Sequence, residues 1–144
     1  MRTLLPARHT FFDHTGDFGV DIRGDDLDEA VAEVPRAFLD LLTGDADCVA
    51  EREERALEVE GVDLLDALVA LGNELLFWFE VEGFLVARFE PDEVEPGWIA
   101  GQAFGEPFDP ERHPIARPLK AVTHHAAACE QDSEGVSVRL IFDL

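Results

Sequence analysis

The chain has 144 residues, 47 % of them hydrophobic, which suffices for one domain with its own core and argues against disorder. Eleven Lys and Arg face 32 Asp and Glu, a formal net charge of −21, and no basic cluster suited to phosphate stands out. No apolar run approaches the roughly 18 residues of a membrane span, and Met1 to Pro6 carries no signal-peptide pattern, so a cytoplasmic location is expected.

The acidic residues are spread along the whole chain, and Lys120 is the one lysine among the bases. A uniform excess of this kind suits a surface that stays soluble at very high salt. At about 1 M salt the screening length is roughly 3 Å, so the self-repulsion that would loosen the fold in dilute buffer is suppressed. In such a background RNA-handling proteins are acidic too, and direct RNA contact stays open. Cys48 and Cys129 lie far apart without a CxxC, which indicates neither a zinc site nor a disulfide framework.

Phe11 to Arg23 reads as extended structure with a polar interruption, Phe18, Val20 and Ile22 alternating with polar or small neighbours. Asp25 or Asp26 caps a helix with Leu27, Ala30, Val31, Val34, Phe38, Leu41 and Leu42 on one side; Pro35 should kink or split it, and Thr43-Gly44-Asp45 ends it. Glu53 to Gly61 reads as a strand with one wet face. Asp63 opens a second helix, apolar round more than half its circumference and therefore central. Phe84 to Glu90, Trp98 to Phe104 and Lys120 to Glu130 are strand candidates, and 91–97 and 107–118 read as loops. Asp132-Ser133-Glu134-Gly135 reads as a hairpin turn, and Val136 to Leu144 as a last strand with Val138, Leu140 and Phe142 on one face and Arg139, Ile141 and Asp143 on the other. The order predicts an α+β fold, a mostly antiparallel β-sheet packed against two main helices, in one domain over 1–144.

Two places could carry chemistry. Asp13-His14-Thr15-Gly16-Asp17 puts two carboxylates and an imidazole in five residues between phenylalanines, a pattern that suits either a hard cation or a turn held by side-chain hydrogen bonds. At Asp143-Leu144 a carboxylate stands beside the end of an apolar strand. His124 and His125, adjacent in a strand, should point to opposite faces and not clamp one metal; His113 reads as a surface residue. Ser133 and Ser137 are the only serines, and no nucleophile elbow or phosphate-cradling Gly loop is present, so no catalytic residue is assigned.

The sequence resembles the archease family along nearly its whole length. The matching elements are Asp13-His14-Thr15-Gly16-Asp17 with Gly19, Leu27-Asp28-Glu29-Ala30, Leu41-Leu42-Thr43, Val59-Glu60-Gly61 and Asp63-Leu64. Further on come Asn73-Glu74-Leu75-Leu76, Gly105-Glu106, Asp109, Arg112-His113, Lys120-Ala121-Val122-Thr123, His125 and Ile141-Phe142-Asp143-Leu144. Gly16 stands where the family pattern has Ala, His124 where a Tyr is usual, and Gly72 where a bulkier apolar residue is usual; Gly72 puts the second helix's local stability in doubt.

The resemblance implies a non-enzymatic partner of the GTP-dependent tRNA-splicing RNA ligase, promoting its guanylylation and repeated turnover. It also implies a metal site, with calcium or another divalent cation held by Asp17, Asp143 and Leu144, and His14 in a supporting place. A general chaperone or modulator of RNA-processing proteins is the alternative, and a metal-dependent hydrolase with His14 as base a third.

Overall fold

The computed structural model describes residues 8–14 and 16–144. The imidazole of His14, all of Thr15 and the stretch Met1 to Pro6, on which expectations were placed above, lie outside them. The elements run β1 (Arg8–His14), β2 (Asp17–Gly24), α1 (Leu27–Thr43), β3 (Glu53–Glu60), α2 (Leu64–Glu80), β4 (Phe84–Glu95), β5 (Trp98–Pro107), β6 (Ala121–Asp132) and β7 (Gly135–Asp143). The fold is α+β, with two antiparallel sheets in the orders β1-β2-β7-β6 and β3-β5-β4.

Each helix packs on strands of both sheets, α1 on β2 and β4 and α2 on β6 and β3. One buried cluster therefore joins Val20, Ile22, Leu140 and Phe142 of the first sheet to Leu57, Phe89 and Ile99 of the second through Val34, Phe38, Leu68 and Leu75 of the helices. In β2 and β7 the even-numbered residues fill this core, so the odd-numbered residues form the face turned away from the helices.

Asp26 and Asp63 cap the helices, each side chain accepting the N–H three residues on at 2.9 and 2.8 Å. The predicted split at Pro35 does not occur: α1 runs unbroken from Leu27 to Thr43. Pro35 lacks the N–H that would reach the Val31 carbonyl, a loss of about 3 kcal/mol in a free helix. Here Val31, Val34, Pro35 and Phe38 are all buried, and their packing offsets the loss and keeps the helix continuous.

The polar interruption turns out to divide two strands. β1 and β2 form a hairpin with His14 opposite Asp17, and Gly16 at φ +77° supplies the left-handed conformation that a two-residue connection needs. The expected loop 91–97 is mostly strand: β4 and β5 pair out to Glu95↔Trp98, and a register shift between Pro91 and Glu93 absorbs the proline, which cannot donate to the ladder.

Gly72 does not weaken α2 by chance. It is buried against β6, where a Cβ at this position would lie 2.7 Å from Val122 Cγ2. Next to it, the Asn73 amide donates to the Val122 carbonyl at 2.9 Å and accepts the Val122 N–H at 2.8 Å, serving β6 as a neighbouring strand would.

Candidate metal centre

The register of β2 against β7 sets Asp17 directly opposite Asp143, and that of β6 against β7 sets Ala121 opposite Asp143 on the other side. Directly opposed residues share a sheet face with Cβ atoms about 4.5–5.5 Å apart. Two carboxylates distant in sequence are thus brought together on the face turned away from the helices. Asp17 acts on Asp143 through a side-chain hydrogen bond, and this, with partial burial and the Asp17 charge, raises the Asp143 carboxyl above its ordinary pKa. The raised value means that the negative charge of Asp17 disfavours a second negative charge at Asp143, and a cation between the two would relieve that repulsion.

Lys120 opposes this shift through its charge, and its backbone N–H donates to the Asp143 carbonyl at 2.8 Å. Lys120 stands out in the sequence as the single lysine among eleven bases and as part of a family element, but nothing local in the sequence places it beside Asp143. Leu144 follows with its side chain packed partly against the core, which fixes the direction in which its main-chain oxygens leave β7. Asp13 is exposed and pairs with Phe18 in the hairpin register, which sets it apart from the Asp17–Asp143 pair.

The donor chemistry fits a hard, oxygen-seeking cation. Two close carboxylates present several oxygens, and a divalent ion between them would offset their mutual repulsion. Among the described residues, no three His, Cys, Asp or Glu side chains converge, so main-chain oxygens and water would complete the usual six to eight ligands of calcium.

The remaining histidines serve other ends. His124 meets Asp66 of α2 at 2.5 Å, and with His125 it stands in a break of the β6–β7 pairing between Thr123 and Ala128. The expectation that His113 is a surface residue fails: its side chain is 0 % exposed. Its ring stacks on Phe108, Nδ1 accepts the Asp109 N–H at 2.9 Å, and Nε2 lies 2.9 Å from Glu106. With Nδ1 accepting, the proton sits on Nε2 and is donated to the carboxylate. Glu106, 1 % exposed, also accepts the Arg112 fork at 2.9 and 2.7 Å and the Ala50 N–H at 2.8 Å. The Arg112 guanidinium, then these N–H groups, hold its pKa down at about 2 against the cost of burial. The cluster joins β5 to the segments on either side and is a structural staple, some way along the chain from the carboxylate pair.

Among the described residues, nine elements form a small α+β protein whose first sheet sets two aspartates opposite each other at one end. Residues 9–144 match the archease protein family (MTH1598/TM1083). An archease of Methanopyrus kandleri is 36 % identical over 92 % of this chain and 96 % of its own. The solution structure of Methanobacterium thermoautotrophicum protein 1598 superposes with a TM-score of 0.74 at 28 % identity, covering 94 % of this chain and 98 % of that one. A Thermotoga maritima archease, described as a possible chaperone, shares the fold with a TM-score of 0.59 at 20 % identity over 100 % of this chain and 98 % of its own. The chain belongs to the archease family.

Proposed function

We propose that this protein activates the GTP-dependent tRNA-splicing RNA ligase, promoting ligase guanylylation and repeated turnover, and that it does so with calcium or another divalent cation bound at Asp17, Asp143 and the main-chain oxygens of Leu144. Family membership supports the partner. The observation that carries the site is the cross-strand pairing of Asp17 with Asp143, which brings two like charges together on one sheet face and raises the Asp143 carboxyl above its ordinary pKa. A cation there would tie β2 to β7 at the turn end of the β1–β2 hairpin, so that metal binding and the shape of this corner are linked. Lys120, beside Asp143, offsets part of the negative charge of the site.

The test is ligation by the cognate ligase at limiting concentration with GTP and a divalent ion, at about 2–3 M salt, where surface repulsion is screened. The wild-type protein should raise the number of turnovers, and the Asp17→Ala, Asp143→Ala double variant, still folded, should not. Full stimulation by the double variant would discard the site and keep the partner. No stimulation by the wild type would discard the partner.

A broader chaperone role is the second reading. Phe77 and Val81, four residues apart at the end of α2, are 47 and 66 % exposed, an apolar spot that suits contact with clients. A pull-down at native salt that recovers many unrelated proteins without enrichment of the ligase would favour it.

A further inference from the structure

On the face turned away from the helices, β2 and β7 carry more than the two aspartates. Along β2 that face presents Asp17, Gly19, Asp21 and Arg23, opposite Asp143, Ile141, Arg139 and Ser137 of β7. The metal corner is one end. The other end, six residues along β2 and so roughly 20 Å away, is a cavity of about 450 Å³.

Its origin is local. Between Thr123 and Ala128 strand β6 carries extra residues, and Ala126 adopts φ +63°, a left-handed conformation that costs a non-glycine residue roughly 1 kcal/mol or more. The strand leaves its partner there and forms a wall. Ala126, Ala128 and Ser137 have short side chains, which leaves the space unfilled, and Ile22 and Val138 contribute to its floor while their side chains belong to the core.

The rim is charged in an unusual way for this molecule. Arg23 and Arg139 both line the cavity, facing Asp21 and Glu130, so its formal charges balance where the chain as a whole carries −21. Asp21 is already engaged by Arg139 through two bonds of 2.7 and 2.9 Å, and Arg139 is further held over the Phe12 ring at 4.5 Å. Phe12 in turn lies over Gly19, where a Cβ would come within 2.1 Å of its ring. Arg139 is therefore fixed in place. Arg23 donates to the neutral Ser137 Oγ at 2.7 Å, a bond that aims its guanidinium without cancelling its charge.

We propose that this cavity is a second ligand site, built to hold the phosphate group of a small phosphate ester between Arg23, Ser137 and Arg139. The donors are the Arg23 N–H groups not used on Ser137, the Ser137 hydroxyl, which accepts from Arg23 and keeps its O–H to donate, and Arg139 Nη1, which Asp21 leaves open; Arg23 supplies the charge, and charge-assisted bonds of this kind are the strong ones. The volume lies in the range of small-molecule sites and is larger than a bare phosphate needs, so the alanine-lined part receives the organic portion of the ester. Glu130 on the rim opposes the anion and weakens binding. The site is independent of the Asp17–Asp143 reading.

The experiment is a titration followed by amide NMR shifts at about 2 M KCl with inorganic phosphate, uridine monophosphate and uridine as probes. The monophosphate should perturb residues 21–23, 126–130 and 137–139 and bind more tightly than phosphate, with uridine alone not binding. Arg23→Ala with Ser137→Ala should weaken the monophosphate by about tenfold or more, and Glu130→Gln, which removes the opposing charge, should tighten it several-fold. Both variants should keep the wild-type amide pattern elsewhere. Phosphate binding as tight as the monophosphate would overturn the ester assignment. Equal binding of uridine and its monophosphate, unchanged binding in the Arg23 variant, or no shifts in this region would overturn the site.

Discussion

Replacing Glu106 by Gln removes the most completely buried carboxylate among the described residues while keeping its shape. Glu106 is 1 % exposed and accepts from Ala50, from both terminal nitrogens of Arg112 and from His113. A glutamine presents one N–H₂ group to these donors, so at least one of them loses its acceptor. The magnitude follows from linkage. The folded pKa of about 2 lies below the ordinary 4.5, and the shift corresponds to about 3 kcal/mol of stability supplied by the charged form. For a chain of this size that is a fall in Tm of roughly 10 °C.

The sign of the pH dependence is fixed as well. Because the folded pKa is depressed, the contribution is present above the unfolded value of 4.5, shrinks as pH falls through that value, and is gone below about 2. Denaturation of wild type and Glu106→Gln in molar KCl should therefore show the full gap at about pH 7 and a gap smaller by roughly 1.4 kcal/mol at about pH 3.5. A gap under about 1 kcal/mol at neutral pH, or one that does not narrow on acidification, would refute the staple as described.

Three further outcomes follow from the packing. Asn73→Ala leaves the buried Val122 N–H and carbonyl without their amide partner and should cost about 2 kcal/mol in denaturant unfolding, whereas loss of an exposed hydrogen bond would cost a few tenths. Gly72→Ala should destabilise in spite of a helix-propensity gain of about 1 kcal/mol, because the new methyl meets Val122; adding Val122→Ala should make the alanine at 72 less costly, and independence of the two changes would contradict the contact. His9 of β1 lies between Glu33 at 2.6 Å and Asp40 at 2.8 Å on α1, and the Glu33 hydrogen bond, then Asp40, raise its pKa against burial. Its contribution is complete below the ordinary 6.5 and is lost as pH rises through the folded value, so the stability gap between wild type and His9→Gln should close on alkalinisation; a gap that widens would contradict the ion pair.

Much of the architecture was legible because it rests on local chemistry. Asp26, Asp63 and Gly44 mark helix ends through capping, and the β7 alternation places Val138, Leu140 and Phe142 in the core. Pro35 misled because a local penalty was weighed without the tertiary packing that overrides it. The strand past Pro91 was hidden because a bulge, invisible in periodicity, carries the proline. Among the candidate site residues, Asp17 and Asp143 are individually visible as odd carboxylates, but their opposition is a property of β2–β7 register, which no local pattern encodes. His113 was misread for a related reason: its burial depends on Glu106 and Phe108, and a loop sequence with Arg and Pro neighbours gives no periodic sign of a buried ring.

The measurement that bears most directly on the account is calorimetric titration of calcium into the wild-type protein and into Asp17→Asn, Asp143→Asn at about 2–3 M KCl, where nonspecific attraction to the acidic surface is screened. The account predicts one saturable site in the wild type, absent from the folded double variant. A wild-type protein that binds no divalent cation, or a variant that binds it equally well, would contradict it.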